Sequence, residues 1–203
     1  MIQNITSISA KTNESQYFTK PISVCDKLEH YLSYVFEKEL RLQIGLSRHC
    51  PISYLEDCLS HFWGNKNFYS IDLYGDELAQ PIENFKGIYR RAKKEGLRLK
   101  AHVGEWGTAK DVRTAVEELE LDEVQHGIAA AGDESVIRFL AEHKIRLNIT
   151  PTSNILLGRV ADMSVHPIGK LYHSGVDVTI NSDDVLIFDS DVSKEYLHKL
   201  IMI

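Results

Sequence analysis

Two short segments of this chain combine side chains that can do chemistry: residues 102–105, His-Val-Gly-Glu, and residues 181–184, Asn-Ser-Asp-Asp. Each segment closes a short apolar run typical of a β-strand, so it places ionisable groups where a strand becomes a loop. In a parallel barrel, catalysis takes place at strand ends of this kind. A His and an Asp from separate strand ends can share a metal ion, and a Glu three residues past the His can move protons beside it.

Glu105 is the candidate general acid of this arrangement. Gly104 lets the backbone turn without steric cost, so the Glu105 side chain can fold back over the strand end. Removal of its carboxyl group from water would raise the pKa toward neutrality, as general acid catalysis requires. Two alternatives stay open: His102 is a hydrogen-bonded structural residue, or Glu105 caps the helix that begins near Thr108.

Three more ionisable side chains lie at comparable positions. His126 ends a short apolar segment and precedes Gly127, where it can orient or deprotonate a metal-bound water. Asp183 and Asp184 are adjacent carboxylates, which repel each other unless a cation or a donor separates their tasks. One can bind a metal while the other accepts a hydrogen bond from a substrate N–H. The alternative is a solvated Asp-Asp turn or a helix cap.

Strand and helix patterns alternate along the chain and must position these residues. Six strands are predicted, at residues 42–46, 68–74, 97–102, 123–126, 145–150 and 176–180. A partial alternation at residues 2–8 adds a seventh candidate, and an amphipathic stripe predicts a helix over residues 28–40. Thr108 with Asp111, Asp133 and Ser193 are the predicted helix caps.

Single helices between the strands imply parallel pairing through right-handed crossovers. An open doubly wound sheet would gather its site at one switch point, whereas a barrel spreads its site over many strand ends. Polar residues close at least four strands: His102, His126, the turn at 152–154, and Asp183 with Asp184. We therefore predict an α/β fold, an incomplete (β/α)8 TIM-type barrel of about strands two to eight, as a single domain over residues 1–203.

Composition excludes several classes of protein. The 203 residues suffice for one sizeable domain, and a net charge of −6 argues against nucleic acid or an anionic membrane surface as a partner. No run approaches the roughly 18 apolar residues of a membrane span, and residues 1–10 do not look like a secretory signal. Cys25, Cys50 and Cys58 form no CxxC pair, which indicates reduced thiols and a cytoplasmic location.

Taken together, the sequence resembles the adenosine/AMP deaminase family of the metal-dependent hydrolases. Five motifs in order carry this resemblance, at residues 72–77, 102–105, 125–127, 150–154 and 180–184. The resemblance implies a hydrolase of purine and nucleotide metabolism that converts adenosine or adenine to inosine or hypoxanthine and ammonia. It implies zinc as the cofactor, a water activated by that zinc, and a small purine nucleoside or base as the binding partner.

The resemblance also implies a role for each site residue. His102 and Asp183 would be zinc ligands, and Asp183 would also take part in catalysis. Glu105 would donate a proton to N1 of the purine ring, and His126 would assist the ionisation of the water. For substrate binding, Gly75 would offer its backbone N–H to purine N3.

Asp184 is the second residue that would bind the substrate. It would accept a hydrogen bond from the N7 side of the purine.

Two features depart from the family pattern. That pattern begins with a His-x-His pair that supplies two more metal ligands, and no such pair occurs in this chain. With His102 and Asp183 alone, we expect weak or absent zinc binding and impaired turnover.

The missing first strand would also leave an open seam in the barrel, through which we expect self-association. The alternative functions are a non-catalytic family remnant or interaction module and, as a third reading, a metal-dependent hydrolase of a cyclic amide.

Overall fold

The computed structural model describes residues 41–200 of the chain. The predicted strand at residues 2–8 and the predicted helix over 28–40 lie outside the described residues. The parallel sheet predicted from the remaining sequence lies within them.

Six parallel strands form one sheet whose spatial order equals the order of the strands in the chain. They are β1 (Leu42–Ser47), β2 (Phe68–Tyr74), β3 (Arg98–Val103), β4 (Glu123–His126), β5 (Arg146–Ile149) and β6 (Asp177–Ile180). Each strand is added to the same side of the preceding one, so the sheet has no switch point of the kind that a doubly wound sheet needs. The incomplete barrel is confirmed, and the six predicted strands match to within one residue at each end.

At least one helix follows each strand along the chain. The helices are α1 (Ile52–Ser60), α2 (Lys86–Lys94), α3 (Ala109–Leu119), α4 (Glu134–Glu142), α5 (Pro151–Leu156), α6 (Ile168–His173), α7 (Val185–Phe188) and α8 (Val192–Leu200). Short 3₁₀ turns occupy Ile82–Phe85, Ile128–Gly132 and Met163–Val165. Among the described helices, none is both long and apolar enough to cross a bilayer.

Helix caps follow the sequence in two cases and depart from it in one. Thr108 and Asp111 form a reciprocal capping box at α3, and Asp133 caps α4, as predicted. The prediction for Ser193 is wrong, because α8 already begins at Val192. The side chain of Asp191 accepts the N–H of Lys194 at 2.8 Å, so a carboxylate just outside the helix serves as the cap.

The two faces of the sheet have opposite character. The outer face packs against the helices through side chains that are no more than 2% exposed: Ile71, Leu73, Leu99, Ala101, Val124, Leu147 and Ile149. Because side chains alternate along a strand, the residues between these positions point into the barrel. Those residues are mostly polar, whereas the interior of such a barrel is usually filled by branched apolar side chains.

A chain of hydrogen bonds links these interior polar groups across four strands. Lys100 Nζ lies 3.1 Å from Glu123 Oε2, and Asn148 Nδ2 donates to the same oxygen at 2.9 Å. Thr179 Oγ1 donates to Asn148 Oδ1, and Asn181 Nδ2 donates to Thr179 Oγ1, each at 2.8 Å. Buried charges are tolerated when they are paired and hydrogen-bonded in this way.

Candidate active site

Parallel strands bring their carboxyl ends to one edge of the sheet, and four predicted site residues meet there. His102 lies near the end of β3, Glu105 in the loop after it, His126 at the end of β4 and Asp183 just past β6. Ligand atoms of Glu105, His126 and Asp183 all lie within 4.8 Å of one another. The rings of His102 and His126 are 5.3 Å apart between centroids.

The other two predicted residues lie at the same edge of the sheet without joining this group. Asp184 is exposed, and its Oδ1 accepts the N–H groups of Leu186 and Ile187, which caps α7. The helix cap that the sequence left open is therefore its structural role, and its contact with a purine stays a prediction. Gly75 follows the end of β2 with φ of +100°, and its hydrogen bond to a substrate is likewise still a prediction.

Several neighbours hold the Glu105 carboxyl group in place. Its Oε1 accepts a hydrogen bond from Asn154 Nδ2 at 3.3 Å and lies 3.5 Å from His126 Nδ1. Its Oε2 accepts the indole N–H of Trp106 at 3.1 Å. The guanidinium group of Arg159 stacks on the Trp106 ring at 4.4 Å. The side chain thus folds back over the strand end, as the glycine before it predicts.

Burial raises the pKa of Glu105 to about 6, and repulsion from Asp183 adds to this effect while the charge on His102 opposes it. A carboxyl group with such a pKa is partly protonated near neutral pH. It can therefore give up a proton to a substrate under conditions in which an ordinary glutamate is ionised.

His126 has the opposite property, because burial and repulsion from His102 lower its pKa to about 3. Its ring is therefore neutral at neutral pH. Nδ1 lies 3.0 Å from Thr150 Oγ1 and 3.3 Å from Asn154 Nδ2. Since an amide nitrogen can only donate, Nδ1 is the acceptor and the ring proton is assigned to Nε2. The backbone of His126 has φ of +63°, a strained value for a residue with a Cβ.

Asp72 holds His102 from inside the barrel. Its Oδ2 lies 3.1 Å from His102 Nδ1, an ion-pair distance without the alignment of a hydrogen bond, and accepts Gln43 Nε2 at 3.1 Å. Burial by itself would lower the pKa of His102, but Asp72 outweighs it, with help from Asp183 and Glu105. The pKa is raised to about 9.

Sequence reasoning assigned no role to three buried polar residues beside the site. They are Asp72, Glu77 and Asn154, and each is at most 6% exposed. All three lie within motifs that carried the family resemblance. The available signal in the sequence was polarity. Asp72 is a carboxylate inside an apolar strand, and Asn154 is an amide in the turn after another strand. Both groups need partners once they are buried.

A cavity of about 500 Å³ opens beside Glu105. Its walls include Gly107, Arg159 and residues of the turn Ile128–Gly132. The apolar residues Val160, Ala161, Val165 and Pro167 complete the lining. Of the predicted site residues, Glu105 is the one that contributes to this lining, so the cavity lies beside the group formed with His126 and Asp183 rather than around it.

The donor types at this edge suit a zinc ion, which proteins bind with imidazole nitrogen and carboxylate oxygen. Of the predicted ligands His102 and Asp183, only Asp183 belongs to the tight group with Glu105 and His126. The group therefore fits a metal by its chemistry, and the identity of each ligand stays a prediction.

A barrel of parallel strands that gathers imidazole and carboxyl groups at the carboxyl ends of those strands places them where enzymes of the α/β-barrel class have their active sites. Comparison with known proteins makes the class specific. The family model for adenosine deaminase matches residues 49–201. The chain belongs to the adenosine deaminase family.

Individual relatives agree with this assignment. A Treponema pallidum (strain Nichols) protein whose name includes adenosine/adenine deaminase is 42% identical over 172 residues, covering 85% of this chain and 58% of that protein. The crystal structure of adenine deaminase from Arthrobacter aurescens superposes with a TM-score of 0.79 and 25% identity, covering 87% of this chain and 54% of that one. The chain thus spans just over half the length of either relative.

A third similar protein, the Burkhoderia ambifaria cog1816 amidohydrolase, has been solved with bound Zn. It has a TM-score of 0.76 at 23% identity and covers 83% of this chain and 48% of that one. At this identity the likeness extends to the fold.

Proposed function

We propose that this chain is a purine deaminase-type hydrolase, which removes the 6-amino group of adenosine or adenine by hydrolysis. The observation that carries the proposal is the grouping of Glu105, His126 and Asp183 within 4.8 Å at the carboxyl edge of the sheet. Membership of the adenosine deaminase family supports it.

In this proposal each residue has one task. Glu105, which is partly protonated near neutral pH, donates a proton to ring nitrogen N1 and so weakens the aromaticity of the ring. Neutral His126 assists the ionisation of the attacking water by orienting it through the ring N–H group assigned to Nε2. The backbone N–H of Gly75 and the carboxylate of Asp184 orient the purine. Zinc, when bound, supplies an activated water near neutral pH by lowering the pKa of that water to about 7.

His102 and Asp183 would hold the zinc ion. A catalytic zinc site usually has three protein ligands and one open position, so two ligands imply weak binding. We therefore propose that the isolated chain catalyses deamination slowly and only with added zinc. The proposal has four further parts. The chain forms a single partial-barrel domain over residues 1–203 and has a cytoplasmic location. It acts in purine metabolism and has no nucleic-acid partner.

Ammonia release tests this function. The purified chain, titrated with zinc, is offered adenosine, adenine and AMP, and the ammonia released is measured. We expect slow release that rises with zinc from adenosine or adenine. Inosine, which lacks the 6-amino group, is the matched control. A folded chain that releases no ammonia from any aminopurine at saturating zinc would contradict the proposal and favour a non-catalytic family member.

We also propose self-association through the edge strands of the described sheet. All four residues of β6 are at least partly exposed, whereas all four of β4 are buried. Free backbone groups at such an edge are a template for pairing with another strand. Size-exclusion chromatography with light scattering should give a mass at least twice that of one chain. A monodisperse monomer at every concentration would count against this proposal.

A further inference from the structure

Glu77 is a buried carboxylate that binds the loop carrying Glu105. It lies three residues past β2 and is 6% exposed. Its Oε2 accepts the N–H of Gly104 at 2.7 Å and that of Gly107 at 3.3 Å. Its Oε1 accepts the N–H of Glu105 at 2.9 Å and that of Trp106 at 2.8 Å. One side chain therefore satisfies four consecutive backbone donors.

Two glycines allow the loop to wrap around this carboxylate. Gly104 has φ of +76°, and a Cβ there would come within 2.3 Å of Val112 Cγ2. A Cβ on Gly107 would come within 2.8 Å of Glu77 Oε2. The loop sequence Gly-Glu-Trp-Gly is thus suited to present its N–H groups to an anion at close range.

A buried cation balances the charge of Glu77. Arg48 is 7% exposed, and its Nε donates to the backbone oxygen of Gln80 at 3.0 Å. Burial lowers the pKa of Arg48, and the Glu77 carboxylate is the group that most strongly opposes this shift. An anion with four N–H donors and a favourable electrostatic interaction with a buried cation is well stabilised in a buried position.

The loop is fixed on both sides of the Glu105 Cα. The N–H of Glu105 is bound by Glu77, and its carbonyl oxygen accepts Arg159 Nε at 2.9 Å. With both flanking peptide groups held, the Cα–Cβ bond of Glu105 has a fixed direction from which its side chain extends.

We propose that Glu77 is the positioning residue of the proton donor Glu105. This inference rests on the proposed function, in which Glu105 protonates the purine. Glu77 contacts backbone rather than substrate, so its effect on the reaction passes through the placement of Glu105.

The test compares Glu77→Gln with Asp76→Asn. An amide in place of the Glu77 carboxylate turns one acceptor into a donor that faces backbone N–H groups. Asp76 is its exposed neighbour, and its side chain accepts the N–H of Leu78 at 2.8 Å through Oδ1, which asparagine retains. We expect Glu77→Gln to lower kcat about 100-fold, with a smaller change in KM, because small displacements of a catalytic group are costly. Asp76→Asn should change neither constant.

Two readouts need no turnover and therefore separate this inference from the proposed function. Glu77→Gln should speed hydrogen exchange of the amides of residues 104–107. It should also shift the indole N–H resonance of Trp106, which donates to Glu105, while the resonance of Trp63 stays unchanged. If both readouts match those of the unmodified chain, the inference is wrong. If they change but no form of the chain releases ammonia, only the proposed function fails.

The unmodified chain provides a test if Glu77→Gln does not fold. Within the described residues the four amides have Glu77 as their acceptor. They should exchange much more slowly than the same amides in an unstructured peptide of this sequence. Exchange at the rate of the peptide would overturn the inference.

Discussion

Replacement of Glu105 by Gln is expected to lower the rate of ammonia release by about 100- to 10,000-fold, the usual contribution of a general acid. The amide keeps the size of the side chain and can still hydrogen-bond. It has no carboxyl proton to give, however, whereas the pKa of about 6 makes Glu105 a donor near neutral pH. The fold should persist, because the loop is held through its backbone.

The measurement is the initial rate at saturating zinc, with circular dichroism to confirm folding. Glu56→Gln is the matched control: it makes the same change on the exposed face of α1 and should leave the rate unaltered. If Glu105→Gln stays within a few-fold of the unmodified chain, another group supplies the proton, and the role proposed for Glu105 is wrong.

Replacement of Lys100 by Met is expected to lower the free energy of unfolding by about 3–5 kcal/mol, the cost of breaking a buried ion pair from one side. Both Lys100 and Glu123 are at most 6% exposed. Without Lys100, the Glu123 carboxylate keeps Asn148 and a longer contact of 3.4 Å with Arg98. Its charge would then be largely uncompensated inside the barrel.

Urea unfolding monitored by circular dichroism measures this effect. The double variant Lys100→Met with Glu123→Leu should recover most of the loss, because it removes both charges. Lys93→Met, which breaks the exposed pair with Glu120, is the surface control and should leave the midpoint nearly unchanged. Equal effects of the Lys100 and Lys93 variants would show that the interior pair has no special role.

The pH dependence of stability gives the same pair a second signature. Burial would raise the pKa of Glu123, but the charge of Lys100 and the hydrogen bond from Asn148 lower it by more. A depressed pKa stabilises the fold above the unfolded value, about 4.3, and this stability is lost as the pH falls through the folded value. The double variant should lack this component of acid sensitivity.

The strands could be predicted from the sequence because their patterns are local. Runs such as Phe68–Tyr74 alternate or concentrate apolar residues in a way that favours extended chain, and single helices between them require parallel pairing. Parallel pairing in turn places every carboxyl end at one edge of the sheet. The meeting of His102, Glu105, His126 and Asp183 follows from that rule and from their positions in the chain.

The pairing of Thr108 with Asp111 was also predictable, since the two residues of a capping box are only three positions apart. Ser193 shows the limit of this reasoning. Several polar residues near the start of α8 can serve as a cap, and the backbone rather than the residue type selected Asp191.

By itself, then, the sequence determined which residues can form strands, which ionisable groups close them, and to which family the motifs belong. The tertiary structure alone decided that Asp184 caps a helix and that Asp72 contacts His102. It also decided that Glu77 binds the loop that carries Glu105. The physical reason is distance along the chain: Glu77 and its four N–H partners are 27 to 30 residues apart. Contacts across such a separation depend on strand register and loop geometry, which residue spacing does not encode.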